Sequence, residues 1–169
     1  MNQQYFTVGE AVTLQRATTY SELSHIALNQ LARLKRYAVR SPGIVCGPIS
    51  SGGLGSIPAN IARFELVVNY FTAKYHGIFF SQIPYEESLW RIQAALKAND
   101  PTVYPKGEGN PLLEGFYRPI FTSGLVGAAY FIKGWESSDG ACWERALCLK
   151  QGVSVIDLDD EMNCTLLRV

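Results

Sequence analysis

Short apolar runs alternate with longer segments of helical character, and this alternation constrains the fold more than any other feature of the sequence. The runs occupy residues 44–46, 78–80, 125–132 and 153–156. A strand that is buried on both faces reads as a short continuous apolar run, so each run predicts a strand. Strands that alternate with helices are typical of a parallel sheet covered by helices on both faces. The sequence therefore predicts an α/β protein, a single-domain Rossmann-like three-layer sandwich with a mostly parallel sheet of four to five strands.

Helical patterns fill the intervals between the runs. A capping box from Thr19 to Glu22 opens the first helix, Ser56 caps the next, and Gly152 ends the last. The segment 99–111 carries three prolines and two glycines, which predicts a lid or an irregular excursion. The predicted helices are 19–38, 56–75, 85–98, 112–122 (broken or delayed by Pro119) and 141–151, and residues 157–169 could add an edge strand.

The chain has enough apolar material for one domain. Its 169 residues are 47% hydrophobic, and single domains commonly run to about 100–200 residues. We expect one domain over residues 1–169, with an N-terminal helical extension at 1–40 and a core at 43–157. The 15 basic residues balance the 15 acidic ones, so no net field would attract nucleic acid or an anionic membrane. Neither a leader nor a membrane span is indicated, which predicts a cytoplasmic protein.

The cysteines and histidines indicate no metal site. The four cysteines lack C-x-x-C spacing and are predicted to be free thiols; they are Cys46, Cys142, Cys148 and Cys164. His25 and His76 have no ligand-like spacing to them, so the sequence predicts no structural metal.

Ligands of open parallel sheets bind at the carboxyl ends of the strands, which points to the loops after Cys46, Phe80 and Ile132. The loop at 47–56 is rich in glycine and hydroxyl groups and leads into a helix, whose free backbone N–H groups attract an anion. It lacks the lysine of a Walker loop and the glycine spacing of a dinucleotide fingerprint. A plain connection from strand to helix explains this loop about as well.

The loop at 134–144 is the better-marked site. It combines a tight turn at Gly134, hydroxyl groups, a small residue at Gly140 and a carboxylate, Glu144, at the opening of a helix. Helical side chains lean toward the N-terminus, which aims Glu144 at the strand ends. A carboxylate there can act as nucleophile or stabiliser at a sugar C1 carbon. The alternative is an ordinary first-turn acid that the helix dipole favours.

These segments resemble the nucleoside 2-deoxyribosyltransferase-like proteins, a family that includes small phage and bacterial relatives and nucleotide N-glycoside hydrolases. The resemblance covers roughly residues 43–157. It is carried by residues 45–50, by the strand residues Phe79 and Phe80, and above all by residues 134–144 preceding Gly152. It implies cleavage or transfer of the N-glycosidic bond of a nucleoside or nucleoside 5′-monophosphate.

The resemblance also implies a role for each site residue. Glu144 is implied to be the catalytic nucleophile, which attacks C1′ to give a covalent glycosyl-enzyme that a second base or water resolves. The other positions are implied to bind substrate: Gly47, Pro48, Ser50 and Ser51 at the sugar or its 5′-phosphate, Ser138 and Gly140 opposite them, and Phe80 and Trp135 at the base. A homo-oligomer without metal or organic cofactor is implied as well.

The sequence departs from the family in one respect. The family carries an aspartate just before or within the third strand, and residues 123–127 contain none. Asp139 or Asp100 could substitute from another chain position, and Glu136 is a further candidate acid. Without a substitute, the same loops would form a binding module that senses a nucleotide without turnover. A third hypothesis keeps the bond type and makes NAD the substrate, because a glutamate on an open α/β sheet also serves glycohydrolases of the TIR kind.

Overall fold

A four-stranded parallel sheet forms the centre of the protein. The structure, a computed structural model, describes residues 6–36, 41–75 and 79–158. The spatial order of the strands is β2-β1-β3-β4, and every pairing is parallel. The strands are β1 (Gly43–Cys46), β2 (Phe79–Phe80), β3 (Ala128–Phe131) and β4 (Ser154–Asp157). The predicted α/β class and parallel sheet are confirmed.

Six α-helices accompany the sheet in this part of the chain. They are α1 (Val8–Arg16), α2 (Tyr20–Arg36), α3 (Ile57–Tyr75), α4 (Glu86–Asn99), α5 (Arg118–Thr122) and α6 (Asp139–Gln151). Single 3₁₀ turns precede α4 and α6, at Ile83–Tyr85 and Trp135–Ser137, and a π-helical turn, Leu113–Tyr117, precedes α5.

The sheet separates two apolar cores, which gives the three layers. Ile44 and Cys46 of β1 belong to the larger core, to which α2, α4, α5 and α6 contribute. Val45, between them in sequence, belongs to the smaller core, where Phe64 and Phe71 of α3 cover it. Because alternate residues of a strand point to opposite faces, one short apolar run serves both cores.

The two N-terminal helices differ in how they pack. On α2, Leu23, Ala27 and Leu31 are fully buried and belong to the larger core, so this part of the predicted extension helps to form it. The helix α1 was missed by the sequence analysis. It has a capping box between Thr7 and Glu10 but contains no buried residue, and without a buried face a helix shows little apolar periodicity.

The helix at 112–122 differs from its prediction. Pro119 does not break it, since α5 runs from Arg118 to Thr122 directly after the π-helical turn. A proline lacks the N–H that an α-helix uses and its ring crowds the carbonyl four residues earlier. The wider turn before Pro119 is consistent with accommodating both effects.

Other expectations have mixed outcomes. The apolar run at 125–132 forms a strand only from Ala128 to Phe131, whereas Gly152 ends α6 in the left-handed conformation, as predicted. Cys46, Cys142 and Cys148 are free thiols. Cys164 and most of the predicted C-terminal edge strand lie outside the described residues. None of the helices described is long and apolar enough to cross a membrane.

Candidate functional site

The strand order changes direction between β1 and β3. From β1 the chain moves outward to β2, then returns to the opposite side of β1 for β3 and β4. Ligands of open parallel sheets bind outside the carboxyl ends of the strands at such a point, where the loops diverge. Here those loops are the glycine-rich segment after β1 and the turn between β3 and α6.

The two loops are joined by a side chain. The Ser137 hydroxyl accepts a hydrogen bond from the Gly53 backbone N–H at 2.8 Å and donates one to the Gly134 carbonyl at 2.6 Å. Gly52 approaches so closely that a Cβ atom there would lie 2.4 Å from the Ser137 carbonyl oxygen. Gly52 also has a φ of +68°, a backbone conformation that residues other than glycine rarely adopt. Both the close contact and the backbone conformation therefore require glycine.

A crevice of about 90 Å³ opens at this junction. Sites that enclose a whole drug-sized ligand are usually about 300–1,000 Å³, so this crevice is large enough to enclose only part of such a ligand. Its polar side chains come from four separate regions of the chain. They are Ser50, Gln82, Glu86, Gln93, Tyr117, Ser138 and Glu144.

Glu144 is a buried carboxylic acid in this crevice, with 6% of its surface exposed. Its helix begins at Asp139, and Ser138 caps it by accepting a hydrogen bond from the Ala141 N–H at 3.4 Å. Burial raises the pKa of Glu144 to about 8, because desolvation disfavours its charged form. A hydrogen bond from the Cys46 thiol opposes that rise in pKa, and the negative charge of Glu86 adds to it.

Glu86 is a second carboxylic acid in the crevice, and the sequence analysis did not single it out. It is the first residue of α4, where its Oε2 accepts a hydrogen bond from the indole N–H of Trp90 at 2.5 Å. Burial raises its pKa above the usual value, and the Trp90 hydrogen bond works against that rise. The loop after Phe80 was one of the three predicted site loops. An acid in the first turn of a helix is nevertheless too common to indicate a site by itself.

Tyr117 completes a cluster of acidic groups. It ends the π-helical turn, is 6% exposed and lines the crevice. Burial raises the pKa of its phenol well above the usual value, with further contributions from the charges of Glu86 and Glu144. Single π-helical turns occur frequently at functional sites, but no local sequence pattern predicted this one.

Gln82 presents an unsatisfied acceptor at the same crevice. Its Nε2 donates to the Val45 carbonyl at 3.3 Å, and only 2% of the residue is exposed. Its Oε1 is buried and has no hydrogen-bond partner in the structure. Since more than nine in ten buried polar groups are paired, an unpaired oxygen on a residue that lines the crevice is a candidate acceptor for a ligand that donates a hydrogen bond.

The structure brings together five of the nine predicted site residues at the crevice: Gly47, Ser50, Ser138, Gly140 and Glu144. The small residue at 140 therefore lies where the backbone borders the space, as the sequence indicated. Gly47 and Ser50 lie in the predicted loop after β1, and the other three lie in the predicted segment 134–144 after β3.

The other four lie elsewhere. Phe80 is fully buried in the larger core with its ring 5.8 Å from that of Tyr85, so the structure contradicts a role for it in stacking on a base. Trp135 packs 4.6 Å beneath the Arg145 guanidinium and does not line the crevice. Pro48 is buried beside that space and Ser51 is exposed beyond it, so neither borders it.

The three acids suggested as substitutes for the missing aspartate also lie outside the crevice lining. Asp139 pairs with Lys106 at 3.0 Å, and Asp100 accepts hydrogen bonds from Thr102. Glu136 is exposed in the turn before α6. The acid that lines the crevice together with Glu144 is Glu86, from the helix after β2.

Within the described residues, no group of three or more histidine, cysteine, aspartate or glutamate side chains could hold a metal ion. The chain matches no known family, no curated protein and no solved structure at a significant level.

Proposed function

We propose that this protein cleaves or transfers the N-glycosidic bond of a nucleoside or nucleotide, with Glu144 as the nucleophile. The observation that carries the proposal is the position of a buried glutamate at the switch point of a parallel sheet, in a crevice that a second carboxylic acid also lines. Two carboxylic acids around one small cavity are the basic requirement for breaking a glycosidic bond with a covalent intermediate.

In the first step, the Glu144 carboxylate attacks C1′ of the sugar while the bond from C1′ to the base nitrogen breaks. The departing base keeps the electron pair of that bond and receives a proton from Glu86. In the second step, water or another base attacks C1′, Glu86 takes up the proton of this nucleophile, and the Glu144 carboxylate leaves. Glu86 thus replaces the aspartate that the third strand lacks.

In the free protein the proton of this pair rests on Glu144, so the proposed reaction requires that proton to move to Glu86 before the attack. Burial raises the pKa of both acids, to about 8 for Glu144, so the pair holds a proton near neutral pH. The Cys46 hydrogen bond favours the ionised form of Glu144, which the attack requires. Positive charge that develops at C1′ in the transition state favours that form further.

Release of free base tests the proposal. Purified protein is incubated with a panel of nucleosides and nucleoside 5′-monophosphates, and the products are separated by chromatography. We expect release by the wild type and a loss of at least about 1,000-fold in Glu144→Gln, because losing a nucleophile removes the covalent route. Glu136→Gln is the matched control, since this exposed turn glutamate should be dispensable.

Each other outcome has a defined meaning. The proposal fails if the wild type releases no base from any substrate, or if Glu144→Gln releases it equally well. Calorimetric binding of a nucleotide without turnover would identify a binding module instead. Release of nicotinamide from NAD, and of no base from the panel, would move the activity to that substrate. Sedimentation of the same sample tests the predicted homo-oligomer.

A further inference from the structure

We infer that the crevice admits the unphosphorylated sugar of a nucleoside, and that the Gln82 carbonyl oxygen holds this sugar by accepting a hydrogen bond from one of its hydroxyls. The inference rests on the proposed function and names the substrate class that this site takes. It decides between the nucleosides and the nucleoside 5′-monophosphates, both of which the sequence left open.

The charges at the crevice disfavour a phosphate. Its lining includes Glu86 and Glu144 and, among the residues the structure describes, no lysine or arginine. A phosphate would bring further negative charge into a space already shared by two acids, where low polarity strengthens repulsion. A neutral sugar carries no such penalty.

The N-terminus of α6 is already occupied by this chain's own groups. The Ala141 N–H donates to the Ser138 hydroxyl, and the carboxylate of Asp139, the first helical residue, lies at the positive end of the helix dipole. Lys106 is paired with that carboxylate at 3.0 Å. A phosphate at Ser138 and Gly140 would therefore have to compete with the Asp139 carboxylate for Lys106 and for the positive end of the helix dipole.

The orientation of Gln82 determines which ligand group it can bind. Its Nε2 is fixed on the Val45 carbonyl of β1, which leaves Oε1 as the unpaired atom. This oxygen can only accept, so its partner must donate. Sugar hydroxyls are donors, whereas a phosphate dianion has acceptors alone. The volume of about 90 Å³ suits a sugar ring with the base extending outward.

The first experiment compares kcat/KM for a nucleoside and its 5′-monophosphate. We expect the nucleoside to be favoured by at least about 10-fold, the usual size of one lost or repelled interaction. Equal rates, or faster release from the monophosphate, would overturn the inference and leave the proposed function standing. If no base is released from either, the proposed function itself fails.

The second experiment uses nucleosides that each lack one sugar hydroxyl, at the 2′, 3′ or 5′ position. In the wild type, one of these deletions should lower kcat/KM by at least about 10-fold, because it leaves the Gln82 oxygen unpaired again. In Gln82→Met the same deletion should have little effect. Gln151→Met, the same change at an exposed position of α6, should behave like the wild type.

A further variant guards against misfolding of Gln82→Met. Gln82→Glu in its protonated form, which burial favours, can donate its O–H to the Val45 carbonyl and keep its other oxygen as an acceptor. We expect it to retain the preference for the hydroxyl even if its overall rate falls. Loss of that preference in Gln82→Glu, or an unchanged preference in folded Gln82→Met, would remove Gln82 from substrate selection.

Discussion

Cys46, the last residue of β1, and Glu144 on α6 are both buried, and the Cys46 thiol lies beside the Glu144 carboxyl group as a donor that lowers its pKa. This contact links the central sheet to the acid that lies nearest to the proposed chemistry. Its effect on the Glu144 pKa is opposite to that of burial, because a donor favours the charged form. Three features therefore determine the pKa of Glu144: its burial, the Cys46 thiol and the charge of Glu86.

Removing the thiol should make Glu144 harder to ionise. In Cys46→Ala we expect the pKa of Glu144 to rise by about one unit, since one net hydrogen bond corresponds to about 1–1.5 kcal/mol. The pH at which kcat/KM rises as Glu144 ionises should move upward by the same amount. Infrared titration of the carboxyl band measures the same shift without activity. Cys46→Ser retains a donor and should leave the midpoint near its wild-type position; equal shifts in both variants would contradict the assignment.

Replacing Glu86 should separate the roles of the two acids. With an ordinary nucleoside, Glu86→Gln should slow base release by about 100-fold or more, the usual contribution of a general acid. A nucleoside with a nitro-substituted base, which leaves without a proton, should restore much of that rate.

The comparison variant for this experiment is Glu144→Gln, which should be inactive with both substrates because it lacks the nucleophile. If the activated base rescues Glu144→Gln and not Glu86→Gln, the two roles are reversed. Stopped reactions quantified by chromatography give all four rates.

The burial of Glu144 should reduce stability at alkaline pH. Below pH 4.5 both folded and unfolded chains hold the proton, so the group costs nothing. Between 4.5 and about 8 the unfolded chain releases it and the folded chain keeps it, which lowers the free energy of unfolding as the pH rises. Because one pKa unit is 1.36 kcal/mol, the full effect is on the order of 5 kcal/mol.

Urea unfolding of wild type and Glu144→Gln measures this cost. The variant should gain stability relative to the wild type between pH 5 and pH 9, whereas Glu136→Gln should show no such trend. Parallel stability curves for wild type and Glu144→Gln would mean that Glu144 is not desolvated in the folded protein.

The close approach of the two loops makes Gly52 sensitive to substitution. Gly52→Ala forces a Cβ against the Ser137 backbone in addition to an unfavourable φ, so we expect a loss of about 3 kcal/mol or more. Gly55→Ala has a similar φ of +82° but open space around it, and should cost only about 1 kcal/mol. Thermal unfolding compares the two; equal losses would mean that the loops do not meet as described.

The parts of this fold that sequence patterns predicted are those in which neighbouring residues determine the outcome. The apolar run at Ile44–Cys46 predicts a doubly buried strand because both faces of a central strand meet a core. The Ser56 cap, the bend at Gly134 and the left-handed Gly152 depend on local backbone chemistry, so their positions could be predicted.

The composition of the crevice depended on tertiary structure. Gln82, Glu86 and Tyr117 lie dozens of residues from Glu144, on a loop, on α4 and in a π-helical turn that no local pattern distinguishes. A carboxylate in a first helical turn, such as that of Glu86, is locally ordinary, and it becomes a buried acid only when distant elements pack around it. The sequence alone therefore determined the strands, the caps and the aim of one glutamate. The packing of distant elements decided which groups share its cavity, because burial and charge coupling are properties of the space between elements and not of any single segment.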